Sequence, residues 1–459
     1  MVKTKNKLER WWRGMVYVLP AVLFFSYQPL IALGSSESMN FELSLPLIWL
    51  VIFDGVTVWL MWRRKLLLKN WRKKWVWLLL PVWLSLSVLW SLNPLRGILT
   101  VGILWLVYLA ADGFWSLKSL FNEVGVKEKF WKTFFGSSLV ICGWCWLQCI
   151  LDLVGVGREA SLMCAGCTYV SFGFPHPNGF AIEPQFMGNL LLAPLFMSGY
   201  FVLKNKKYLW IFFILAATLF LTFSRGAIYA FGVGMVVVTV WEIWQSRKWR
   251  ELVVWPVILL AFLFTLNAQG VMAQASRTND TYFTGVAKVL NHLSLGVINI
   301  QANESGNVGA ADGSEEVGGE AAWFDGYVEE STDTRLRLSG AAYEVWSSDV
   351  KTVLFGVGLG GAGQALYVNG LSPAPKEIVQ NQYASLLLES GVVGVLLAVF
   401  SLGLVVRAVW KSPLRIVLAA LIVAYMVSLC FFSGLPNALQ IYLLPAVIYA
   451  IGLRKKLVS

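Results

Sequence analysis

Hydrophobic residues in this chain run in long, nearly continuous blocks separated by short polar intervals, with no alternation and no one-sided helical stripe. A helix crossing bilayer hydrocarbon needs about 20 such residues, and only a helix satisfies its own backbone there. The blocks predict spanning helices at Met15–Leu33, Ser44–Trp62, Val76–Leu92, Gly97–Trp115, Phe135–Val154, Gln185–Leu203, Tyr208–Phe223, Gly226–Trp244, Leu252–Leu266, Asn381–Val406, Ile416–Phe432 and Leu435–Leu453. The expected fold class is therefore all-α: a polytopic membrane protein of about 12 transmembrane helices, with 1–459 forming a single membrane domain.

One interval breaks the rhythm. Residues 268–379 form a large insertion between the ninth and tenth expected spans. Within it, 304–333 hold nine acids and no base among Gly, Ala and Ser, a composition that cannot bury much surface. Thr334–Trp346 then reads as an amphipathic helix with Leu336, Leu338, Ala342 and Trp346 as its apolar positions. A glycine-rich run from Phe355 to Gly363 leads back to the next span. It lacks the Lys-Ser/Thr pair of a P-loop and reads as tight backbone packing.

Composition agrees with a lipid solvent: 57% of residues are hydrophobic and 14% charged, too few charges to cover a soluble surface. A net charge of +11 would suggest nucleic acid in a soluble protein, but its distribution excludes that reading. Most of the 37 lysines and arginines fall in alternate intervals: Lys3–Arg13, Arg63–Lys74, Lys118–Lys132, Lys204–Lys207, Arg247–Arg250, Arg407–Arg415 and Arg454–Lys456. Positive intervals stay in the cytoplasm. The chain is thus expected in the inner (plasma) membrane with both termini cytoplasmic and 268–379 extracytoplasmic. Its basic clusters would meet anionic lipid headgroups. The first block has a basic start and reads as an uncleaved anchor.

Few residues outside that pattern carry chemistry. Asp54, Asp152 and Glu242 lie in or at the ends of spans, and Asp54, the deepest, is a functional candidate. Cys142 and Cys145 sit in an apolar helix and read as core residues, whereas Cys164 and Cys167 could form a local disulfide. Arg225, in Thr222-Phe-Ser-Arg-Gly226, has no room for a solvated loop and needs an anionic partner. Its planar fork suits phosphate. Arg335 and Arg337 offer the same chemistry from the 334–346 helix, so that two or more arginines could hold a pyrophosphate at the bilayer surface. The Pro/Gly-shaped loop from Phe172 to Pro184 presents His176 and Glu183, and His292 is the second of only two histidines.

In order along 172–400, the His176–Ala181 loop, the Phe223–Gly226 turn, Arg335-Leu, Leu354–Gly360, Asn381-Gln-Tyr383 and Glu389–Gly394 resemble the O-antigen ligase and polymerase superfamily. The resemblance implies a metal-independent membrane glycosyltransferase with an all-helical C-type fold and no cofactor. Its donor would be a glycan on undecaprenyl pyrophosphate, and its acceptor a hydroxyl on a glycan or lipid, as in lipopolysaccharide assembly. Arg225 would bind the donor pyrophosphate with Arg335 and Arg337 in support.

The chain departs from that family at one position. Ligases of the family usually carry His-Asn before the late span, the histidine acting as a proposed base, and here Gln380 precedes Asn381. Glutamine cannot take up a proton at neutral pH. The sequence offers Glu183 first and His176 second for that role. Two further functions share the expected topology: a polysaccharide polymerase of the same family, and, from another class, a polysaccharide transporter or flippase.

Overall fold

The computed structural model describes residues 2–28, 30–35, 40–66, 71–123, 125–164, 175–246, 253–275, 281–294, 334–434 and 438–452. The acidic stretch 304–333, Cys167, Arg247–Arg250, Arg454–Lys456 and the start of the last expected span at Leu435 lie outside them. The helices are α1 (Val2–Phe24), α2 (Leu45–Arg63), α3 (Trp71–Ser87), α4 (Pro94–Ser116), α5 (Val126–Leu153), α6 (Pro184–Val202), α7 (Leu209–Leu221) and α8 (Arg225–Ser246). They continue with α9 (Val254–Ala275) and α10 (Tyr282–Leu293), then α11 (334–346), α12 (Val350–Phe355), α13 (Ala362–Val368), α14 (Gln382–Trp410), α15 (Arg415–Ser428) and α16 (Gln440–Gly452).

Seven helices (α2, α4, α5, α6, α8, α9 and α14) are long and apolar enough to cross a membrane, and the apolar segments Lys74–Trp90, α15 and α16 are shorter. The Tyr208–Phe223 block forms only the 13-residue α7, because Phe223 turns into the left-handed region at φ 60° and stops the helix. The first block also differs from expectation. Its helix ends at Phe24 instead of continuing to Leu33, and the backbone N–H groups of Tyr27 and Gln28 both donate to the Phe180 carbonyl. Residues Leu30–Ser35 (β1) then pair antiparallel with Asn40–Ser44 (β2).

The most buried of the seven long helices is α6, packed against α1, α5, α7, α8, α15 and α16. Its small residues permit this. A Cβ on Gly188 would lie 2.6 Å from the Ala227 Cβ, so glycine here lets α6 approach the first turn of α8. Side-chain contacts identify which helix ends coincide. Arg64 pairs with Glu9 (2.5 Å), Lys74 with Asp112 (2.7 Å), Arg13 with Glu123, and Arg415 lies over the Trp241 ring. These join the start of α1, the end of α2 and the turns after α4, α8 and α14 into one lysine- and arginine-rich end. Exposed Trp11, Trp62, Trp75, Trp210, Trp244 and Trp410 stand at that end.

The opposite end is closed by the glycine-rich run. α14 breaks at Gly391 (φ 63°, ψ −171°), freeing carbonyls that lipid could not satisfy. The Val357 N–H donates to the Leu388 carbonyl (2.9 Å) and the Gly358 N–H to the Glu389 carbonyl (3.0 Å). Such contact requires bare backbone, since a Cβ on Gly356, itself at φ 73°, would lie 2.4 Å from the Glu389 carbonyl carbon. Close packing is therefore the role of this run. Beside it, α11 and α13 form a small core of Leu338, Ala341, Ala342, Val345, Ala365 and Leu366 with Val379 and Leu388. The apolar stripe of α11 omits Leu336, which is 67% exposed because it falls two residues before Leu338, on the other face.

Candidate active site

The loop before α6 is fixed from both sides. Gln148 of α5 donates to the carbonyls of Ser161 (2.9 Å) and Gly179 (3.0 Å) and accepts the Gly179 N–H (2.9 Å). Asn178 donates to the Ala181 carbonyl, and Phe180 stacks on Phe25 and Trp144. His176 is thereby held buried, with its ring 6.5 Å from that of Phe223. Cys149 contacts the Pro175 carbonyl from α5. Cys142 and Cys145 are buried and unbridged, and Cys164 is disulfide-bonded.

The turn between α7 and α8 presents the arginine. Ser224 caps α8, its Oγ accepting the Ala227 N–H and its carbonyl the Ile228 N–H. Arg225 is the first helical residue, 8% exposed, so its guanidinium adds to the partial positive charge of a helix N-terminus. Phe223, left-handed just before it, directs its carbonyl at the Nε2 of His292 (3.3 Å) and stacks its ring on that imidazole at 4.4 Å and 10°. His292 lies on α10, which a Thr281 cap starts and which packs on α9 through Gly270 and Gly285.

Arg335 reaches the same region from α11. Its Nε donates to the Gln380 Oε1 (2.9 Å) and its Nη2 to the Gln185 Oε1 (3.3 Å), joining α11 to the starts of α14 and α6. Gln380 is held there by Asn381, the N-cap of α14, whose side chain accepts the N–H groups of Tyr383 and Ala384. Electrostatics ties the parts together. Burial holds the His292 imidazole well below its usual pKa, and the charges of Arg225, His176 and Arg335 push it the same way, against the Phe223 carbonyl. All three thus lie close enough to His292 for their charge to act on it.

Of the six residues expected at the site, the structure gathers Arg225, Arg335, His176 and Gln380. Arg337, two positions from Arg335 on a helix, is exposed on the far side of α11. Glu183 is exposed at the N-cap of α6, with no side-chain capping bond. Three residues were not expected: His292, Gln185 and the i+4 neighbour of Gln185, Asn189. Both amides are buried, and among the described residues neither the Gln185 Nε2 nor the Asn189 side chain has a hydrogen-bond partner. Asp54 is also buried without one, in α2. Among the described residues no three His, Cys, Asp or Glu side chains converge as a metal site would require. The cluster can grip an anion with two guanidinium groups and meet hydroxyls with the α6 amides.

Residues 210–399 match the model of a protein family described as O-antigen ligase. That segment holds Arg225, His292, Arg335 and Gln380, while His176, Glu183 and Gln185 precede it. No curated protein matches the chain.

Proposed function

We propose, from the match of residues 210–399 to the O-antigen ligase model, that the chain transfers glycan from undecaprenyl pyrophosphate to an acceptor hydroxyl at the extracytoplasmic face of the inner membrane. One observation carries this reading: Arg335 donates to Gln185 at the start of α6, whose next turn packs through Gly188 on Ser224 and Ala227 beside Arg225, so arginines from two separate elements meet at the end of the bundle opposite the lysine-rich turns. Lysine-rich turns stay in the cytoplasm, so the cluster and 268–379 face outward and both termini face inward. The remaining expected spans beyond the seven long helices belong to the same reading. Nucleotide sugars are scarce outside, which favours a sugar already activated on a lipid diphosphate.

In this mechanism Arg225 and Arg335 hold the diphosphate. As the anomeric C–O bond breaks, negative charge grows on the leaving diphosphate, and preorganised guanidinium groups stabilise it without reorganising. The Gln185 and Asn189 amides supply donors and acceptors for sugar hydroxyls. Arg337 and Glu183 stand at the rim, where they would meet a bulky glycan rather than the reacting bond. Membrane vesicles from cells lacking the chromosomal copy test the reading. Adding back the protein should move glycan from the lipid carrier to an acceptor, and the Arg225→Ala protein should not; transfer by that variant at the normal rate contradicts the assignment. Ligase and polymerase differ in acceptor alone: loss of a ligase leaves lipid-linked polymer, and loss of a polymerase leaves single repeats.

A further inference from the structure

A second built feature lies at the basic end of the bundle, where α6 and α8 finish. With its open mouth, a crevice of about 750 Å³ separates the ends of α6 and α8 from the starts of α9 and α15. That volume is typical of ligand pockets, which run to about 300–1,000 Å³. Phe196 and Met235 line it toward the middle of the bundle, and Leu203 and Glu242 stand seven residues beyond them, at the mouth. Seven helical residues rise about 10 Å, so the crevice reaches that far into the apolar bundle. Its polar groups are few. Thr239 accepts the Trp255 Nε1–H across it at 2.9 Å, and Glu242 is its one charged lining residue among the described residues.

Charge surrounds the mouth. The Lys204 ammonium, in the turn after α6, stands 4.6 Å from the centroid of the Tyr200 ring, and Tyr200 lines the crevice. Arg415 lies between the lining residues Leu414 and Ile416, with its guanidinium 5.3 Å from the Trp241 ring. Residues 203–208 and 411–415 together carry five cations (Lys204, Lys206, Lys207, Lys411 and Arg415) and no acid. They outnumber Glu242 on the α8 wall, so the mouth is net positive. An apolar cleft offers water no partners, and the bilayer supplies acyl chains to fill it. Basic pockets between spanning helices attract anionic headgroups. We propose that this crevice binds one anionic phospholipid, an acyl chain entering between Phe196 and Met235 and the phosphate seated on Lys204 and Arg415. The site is independent of the glycan chemistry. It joins the ends of the two helices whose other ends carry Gln185 and Arg225.

The full-length protein, stripped of lipid in detergent, is mixed with dioleoyl phosphatidylglycerol or dioleoyl phosphatidylcholine and followed by native mass spectrometry and thermal unfolding. The unaltered protein should retain one phosphatidylglycerol in preference to phosphatidylcholine. It should also melt at a higher temperature with it, because a ligand that binds the folded state stabilises that state. Lys204→Ala and Arg415→Ala should each weaken phosphatidylglycerol binding about fivefold, and together abolish the preference. The Lys206→Ala, Lys207→Ala double variant removes equal charge from the same end and should keep it. Val238→Phe places a ring in the crevice at constant charge and should expel the lipid. Equal retention of the two lipids by the unaltered protein overturns the proposal. So does an equal loss in the two double variants, which marks a diffuse basic surface, or undiminished binding by Val238→Phe, which shows that no chain enters.

Discussion

Arg225 is the first residue of α8 and 8% exposed, a place where a positive charge is costly to hold. Removing one preorganised donor to a developing oxyanion typically costs about 10²–10³-fold in rate. Arg225→Ala should therefore lower transfer by that order, measured per unit of folded protein in the vesicle assay. Arg225→Lys should recover little of it, because an ammonium lacks the bidentate fork. The His292 field has a pH consequence whose sign follows from its cause. Burial and neighbouring cations disfavour the protonated ring, so ¹⁵N-histidine spectra of the protein in nanodiscs should show a neutral His292 at pH 7, and an imidazolium there would contradict it. Both arginines were legible from the sequence because charge in so apolar a chain has few explanations. His292 was not, because it faces Phe223 across 69 residues and carries no local motif. The one available signal was the scarcity of histidine itself.

At the scale of elements, the break in α14 and the glycine run are one structure. Gly391→Ala would hold a Cβ 2.4 Å from the Leu354 carbonyl carbon at φ 63°, and Gly356→Ala repeats the clash from the other side. Each should lower thermal stability in detergent by more than the 1–2 kcal/mol typical of a left-handed non-glycine residue alone. Asn381→Ala removes two capping bonds and should cost about 1 kcal/mol. It should also loosen Gln380 and weaken Arg335's hold, read as a lower affinity for undecaprenyl pyrophosphate. The sequence made the glycines readable as close packing, but what they pack against lies far along the chain and could not be read from spacing. Span boundaries failed in the same way. Hydropathy sees the apolar block Met15–Leu33 but not the Phe180 carbonyl that draws Tyr27 and Gln28 out of the helix. Nor does it register that Leu336 turns away from the stripe that Leu338 and Ala342 bury.

Over the whole molecule, the lysines, arginines and exposed tryptophans mark one end and the buried arginine–histidine cluster the other. The alternation of basic intervals made that polarity legible before any coordinates, since a charge bias needs no knowledge of packing. It predicts which side a reagent can reach. In a Cys430→Ser background, Arg337→Cys should react with a membrane-impermeant maleimide in intact cells, whereas Lys206→Cys should react only after permeabilisation; both positions are exposed. The reverse pattern would put the cluster in the cytoplasm. The central claim, however, is that Arg225 and Arg335 hold one diphosphate together, and a double-mutant cycle on binding tests it directly. Undecaprenyl pyrophosphate is titrated into nanodiscs carrying the unaltered protein, Arg225→Ala, Arg335→Ala and the double variant. Two guanidinium groups on one ligand should each cost roughly tenfold or more in affinity, equivalent to about 1.4 kcal/mol, with losses in the double variant that do not simply add. Affinities equal across all four proteins would contradict the account.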